Sequence, residues 1–108
     1  MYKKEKDLQA AVKKAIIENY GSDVWYFHPR TSTEKGLPDI VLCFYGIFVA
    51  IELKKDISIY GLTKLQEYTL NRIVASKGFS IVADSVPKVI YCLEKIKKYN
   101  LTSATVAL

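Results

Sequence analysis

The sequence predicts an α/β domain in which a mixed sheet is flanked by helices. Three observations predict it. Apolar residues recur at three- and four-residue steps in three separate segments, two of them near the ends of the chain. Between these lie short runs rich in Val, Ile, Phe and Tyr, of strand length and bounded by Gly, Pro or charged residues. The chain has 108 residues, half of them hydrophobic, enough for one domain with a real core. The element order is α-β-β-β-α-β-α, without internal repeat or low-complexity segment. Residues 1–100 read as a single domain, and 101–108 as a tail without charged side chains.

The first helix spans Lys4 to Tyr20, where Leu8, Ala11, Val12, Ala15, Ile16 and Tyr20 make one apolar stripe. Gly21 ends it. Glu5 lies in line with that stripe, although a helix N-terminus also favours a carboxylate. Val24-Trp25-Tyr26-Phe27-His28 reads as a strand stopped by Pro29. Its aromatic residues are expected in the core, and the lone His28 in a structural role. A polar loop from Arg30 to Gly36 follows. A hairpin covers Asp39 to Lys54 and turns at Tyr45-Gly46. Both hairpin faces are apolar, so both are expected to be covered by helices or other protein. Tyr45 suits positive φ poorly, which favours a wider loop over a tight one.

Lys55 to Gly61 forms a second loop. Thr63-Lys64-Leu65-Gln66 has capping-box spacing and starts a helix that runs to about Lys77, with Gly78 as its left-handed stop. Phe79 to Ala83 is a strand. Val86 to Tyr99 is a last helix, with Pro87 in its first turn and Lys95, Lys97 and Lys98 on its outer face. The tail is left three roles: an added edge strand, a contact to a partner subunit, or a frayed end.

Sixteen Lys and Arg stand against eleven acids, a net charge of +5, which fits a polyanionic partner such as nucleic acid. Cys43 and Cys92 are the only cysteines and form no CxxC or Cys/His cluster, which argues against zinc. Two buried, unpaired thiols suit a reducing cytosol. No signal peptide or membrane-spanning run is present, so a cytoplasmic location and no membrane partner are expected.

The chemistry concentrates at one end of the hairpin. Pairing Phe44 with Ile47 and Cys43 with Phe48 sets Asp39 opposite Glu52, with Cβ atoms roughly 5 Å apart. Lys54 points the same way. A three-residue loop with a bulge would instead separate these groups. Two opposed carboxylates cannot both stay ionised cheaply; one takes a proton or a cation neutralises the pair. Mg²⁺ suits the site, since it takes one or two carboxylates and fills its remaining positions with water and phosphate oxygens. Lys54 would favour negative charge on an attacking hydroxide or a phosphorane-like transition state. Phosphodiester hydrolysis is the most economical reading. The competing one is a plain ion pair at a strand end.

Glu34-Lys35-Gly36-Leu37-Pro38-Asp39, Phe48-Val49-Ala50-Ile51-Glu52-Leu53-Lys54, Leu62-Thr63-Lys64-Leu65-Gln66 and Gly78 before a strand resemble the PD-(D/E)xK nuclease superfamily. More narrowly, they resemble the VRR-NUC family of small virus-type nuclease domains. The resemblance covers about Glu5 to Ser85 and implies a restriction-endonuclease-like α-β-β-β-α-β core plus a C-terminal helix. It implies Asp39, Glu52 and the Leu53 carbonyl as metal ligands, with Glu5 as first-helix acid and Asp7 as its substitute. It implies Lys54 as the residue that positions or activates water. Gln66 would reach back toward the site, in competition with its capping role. Arg30, Lys35, Lys55 and Lys64 are the candidate phosphate contacts, with plain solvated charge as the alternative.

The implied activity is a Mg²⁺-dependent DNA endonuclease, with Mn²⁺ able to substitute. No accessory domain is there to read sequence, so structure-selective cutting is expected, like that of Holliday junction resolvases acting as two-fold homodimers. The uncharged tail and exposed aromatics are candidates for that interface. A viral source, and with it a host-cytoplasm location, rests on the likeness alone. Three rivals stand: a flap or restriction-like nuclease, a catalytically silent nucleic-acid-binding module, and a structural α/β interaction protein.

Overall fold

Leu8, Val12, Ile16 and Tyr20 recur every fourth residue, and they are the side chains that α1 (Glu5–Tyr20) buries. The computed structural model describes residues 4–29, 35–56 and 61–107. At the end of α1, Gly21 takes φ 53 and its N–H donates to the Ile17 carbonyl. A single 3₁₀ turn, Gly21–Asp23, leads into the sheet.

The sheet has four strands in chain order: β1 (Val24–Phe27), β2 (Ile40–Phe44), β3 (Ile47–Leu53) and β4 (Phe79–Ala83). The first two pairings are antiparallel and β3 pairs β4 in parallel, so the sheet is mixed. Phe44 lies opposite Ile47 and Cys43 opposite Phe48, the register expected from the numbering. The turn is the tight one. Tyr45 (φ 50) and Gly46 (φ 79) both take positive φ, as a two-residue hairpin of the primed type requires. The wider loop expected for Tyr45 does not form because packing holds this residue: its ring meets Phe44 edge-on at 4.8 Å and Lys97 Nζ at 5.6 Å. Its N–H also donates to the Asp23 carbonyl at 3.1 Å.

One face of the sheet carries Ile40, Leu42, Phe44, Val49, Ile51, Leu53, Ile81 and Ala83, all buried. They pack against the stripe of α1 and against Val89, Leu93 and Ile96 of α3 (Val86–Ala107). Among the described residues the other face receives only α2 (Lys64–Ala75), which lies over β4, where Ser80 Oγ donates to the Leu70 carbonyl at 3.1 Å. Within the described chain, helices therefore cover one hairpin face fully and the other only in part. Trp25 is 65% exposed, Phe27 51% and Phe48 49%. Cys43 is exposed as well, and Cys92 is half-buried, so the buried-thiol expectation fails while both thiols remain unpaired. Strand alternation turns Trp25 and Phe27 outward, and β1 is an edge strand with no helix above that side. Of the three aromatics expected in the core, only Tyr26 packs against it.

The capping box forms at α2: the Thr63 N–H donates to Gln66 Oε1 at 2.9 Å, and the Gln66 N–H donates to Thr63 Oγ1 at 3.1 Å. The helix stops two residues early, at Ala75. Its left-handed residue is Lys77 (φ 77), not Gly78. The Gly78 N–H reaches the Ile73 carbonyl and the Lys77 N–H that of Val74, the paired bonds of a Schellman end. Gly78 answers to space instead, since a Cβ there would come within 2.8 Å of Ile73 Cγ2.

α3 continues through Ala107, so the segment whose role the sequence left open is helical. Asn100 to Ala107 contains neither Gly nor Pro to stop it. No described helix is long and apolar enough to cross a membrane.

Candidate active site

Backbone bookkeeping builds this site. β2 begins at Ile40, whose partner is Ile51, so one step outward sets Asp39 opposite Glu52. Beyond that ladder the Leu53 N–H has no β2 carbonyl to meet. Asp39 supplies the acceptor instead: the Leu53 N–H donates to Asp39 Oδ2 at 2.7 Å. That bond fixes the Asp39 carboxylate against the end of β3. The chain ahead of it is held too, because Pro38 is buried. Gly36 (φ 81) lies so close to α2 that a Cβ would fall 2.5 Å from Leu65 Cγ.

Glu52 is 2% exposed, the one buried charged side chain among the described residues. Its flanks on β3, Ile51 and Leu53, point into the core, so alternation sends Glu52 to the opposite face, the one that carries α2. Its carboxyl pKa is pushed up to about 9, chiefly by burial, then by the hydrogen bond and negative charge of Asp39. Lys54 pulls the other way, and Glu5 adds a little to the rise. Burial and the neighbouring Asp39 thus favour the protonated form of Glu52 at neutral pH.

Lys54 sits two residues past Glu52, half-buried, with its own N–H donating to the Ala83 carbonyl at 3.0 Å. The structure thus brings Asp39, Glu52 and Lys54 together. Glu5 stands near enough for its charge to act on Glu52. Among the described residues no three His, Cys, Asp or Glu side chains gather closely enough to hold a metal ion. Two carboxylates and backbone oxygen are nevertheless a fitting donor set for a hard divalent ion such as Mg²⁺, which needs few protein ligands.

Gln66 serves as the cap of α2, its side-chain oxygen taken by the Thr63 N–H. Lys35 and Lys64 are exposed and Lys55 half-buried, on the segments that lead to and from the acid pair; Arg30 lies outside the described residues. His28 is edge-on to Tyr26 at 6.2 Å, and its buried Nε2 makes no hydrogen bond among the described residues.

Sequence reasoning missed the surroundings. The register places Trp25, Cys43 and Phe48 in one cross-strand row, and Phe27, Val41, Ala50 and Ser80 in the next. The row after that holds Asp39 and Glu52, so acids and exposed aromatics share one face. Strand alternation in Val24–Phe27 gave the signal, but only once β1 was known to lie at the edge.

No family model matches the sequence, and no curated protein matches it. A solved structure described as a VRR_NUC domain does match in three dimensions. The TM-score is 0.63 at 20% sequence identity, over 79% of this chain and 92% of that one. The chain has that fold.

Proposed function

We propose that this chain, folded as a VRR_NUC domain is, hydrolyses phosphodiester bonds of DNA at Asp39, Glu52 and Lys54. The observation that carries the reading is the buried Glu52 carboxyl, hydrogen-bonded to Asp39 beside Lys54 at the end of the central strand. A fold rarely keeps such a group without use, because burying a carboxyl opposes stability. The likeness to a VRR_NUC domain supports the same reading, as does the net charge of +5.

Asp39, Glu52 and the Leu53 carbonyl would hold Mg²⁺ or Mn²⁺, with Glu5 near the outer edge. A bound divalent ion would neutralise the phosphate and lower the pKa of water. The chain's own groups do the rest. The Leu53 N–H keeps the Asp39 carboxylate aimed at the site. A cation held there would favour the ionised form of Glu52. Lys54 steadies negative charge on the attacking oxygen and on the phosphate as it passes through the transition state. Lys35, Lys55 and Lys64, with Arg30, would hold flanking phosphates.

We further propose a branched substrate of the Holliday-junction kind. A two-fold dimer would present two sites to one junction, matching symmetry to symmetry. The unpaired Cys43 and Cys92 agree with work in a reducing cytoplasm. The test is a panel of labelled junctions, flaps and linear duplexes, with Mg²⁺, Mn²⁺, Ca²⁺ or chelator. Cleavage is expected in Mg²⁺ and Mn²⁺ only. Asp39→Asn, Glu52→Gln and Lys54→Ala should each lose about a hundredfold or more. Robust cutting in chelator would sink the reading, and equal cutting of all substrates would remove the junction preference.

A further inference from the structure

The open half of the sheet face beside the acid pair carries two aromatic rings that the proposed chemistry does not use. Trp25 and Phe27 are mostly exposed, and their ring planes lie parallel within 5°, with centroids 6.3 Å apart. Parallel rings on neighbouring same-face positions of one strand give an exposed aromatic surface on which a flat base can lie. Phe27 lies one cross-strand row from Glu52 and two strands away, roughly 12 Å by sheet spacing, or a few nucleotides along a strand.

We propose that Trp25 and Phe27 form a stacking platform for an unpaired base of the DNA strand that reaches the acid pair, an inference that rests on the nuclease reading above. Bases inside a duplex are already stacked on both sides and present no free face to the platform. A flap, a branch point or a frayed end supplies one. The platform would therefore select substrates with unpaired bases next to the cut.

The surroundings favour nucleic acid over a protein partner. The patch is continuous with the face that bears Asp39, Glu52 and Lys54, so a protein seated on Phe27 would overhang the acids. On the α2 side the patch meets a cleft lined by Phe48, Thr69, Arg72, Ile73, Ser76 and Gly78, where Arg72 brings an exposed positive charge. Aromatic faces between cations are the usual means of gripping single strands.

Trp25 is the sole tryptophan, so its emission reports the platform directly. The test titrates the full chain, in EDTA, with short oligothymidylate and with a blunt duplex of equal length. The single strand is expected to quench Trp25 strongly and the duplex hardly at all. Trp25→Leu and Phe27→Leu, which keep apolar surface but remove the ring, should each weaken single-strand binding roughly tenfold, followed by anisotropy of a labelled strand. Trp25→Phe should keep most of it, and duplex binding should not change. Equal quenching by duplex, or full binding by the leucine variants, would overturn the proposal. So would Trp25 emission that depends on protein concentration without DNA, since a second copy would then cover the face. Quenching by the single strand in a protein that cuts nothing would defeat the nuclease reading alone. Junction cutting without quenching would defeat the platform alone.

Discussion

Glu52 shows how one residue sets function against stability. Its carboxyl titrates near 9 in the folded chain instead of its ordinary 4.5. Below pH 4.5 it is protonated whether or not the chain is folded, and this group then costs nothing. As pH rises toward 9, the unfolded chain gains by losing the proton while the folded chain keeps it. Stability therefore falls across that window, by up to roughly 1.4 kcal/mol per pH unit from this group. Glu52→Gln keeps the shape without the titration. It should melt higher than the parent at pH 8 and alike at pH 4, while losing cleavage; matched thermal melts at the two pH values check this. Asp39 and Glu52 were legible in the sequence because hairpin register depends only on residue number once the turn is placed. The exposure of Trp25 was not, because an aromatic strand looks the same in the middle of a sheet and at its edge.

At the scale of elements, the ends of α2 combine good and poor local choices. Thr63 and Gln66 satisfy each other's backbone donors, as their spacing foretold. Thr63→Ala should cost about 1 kcal/mol in chemical denaturation. Gln66→Ala should show a comparable loss of stability with metal-dependent cleavage largely kept, if capping is its role. A fall in turnover well beyond the loss of stability would return it to the site. At the far end Lys77 stands in left-handed backbone where glycine is at ease. Lys77→Gly should raise stability by about 1 kcal/mol, whereas Gly78→Ala should lower it by crowding Ile73. The helix was legible from its periodicity. Which of two neighbours takes the left-handed turn was not, because Gly78 is demanded by close contact with Ile73 and with Phe48, the latter distant in sequence.

The described residues are layered unevenly, with α1 and α3 on one face of the sheet and α2 alone on the other. The two-helix side holds the core, and the one-helix side holds the acids, Lys54 and the bare aromatics. The divalent ion proposed for Asp39 and Glu52 would tie this arrangement together. Mg²⁺ should raise the melting temperature of the parent chain near pH 8 and leave Glu52→Gln unmoved, which differential scanning fluorimetry reads without any substrate. Element order and the mixed sheet were visible from pattern alone. The uneven layering was not, because amphipathic stripes show that a helix packs without showing on which side.

β3 is bordered by a neighbour on each side, antiparallel β2 and parallel β4. The uncomfortable carboxyl therefore rides on an interior strand, less free than an edge to swing out and shed its discomfort in water. Deuterium should enter the amides of Ile51 and Leu53 among the last in the chain. A breathing edge would let the acids drift apart between turnovers; a clamped centre keeps them waiting at the same separation for whatever arrives.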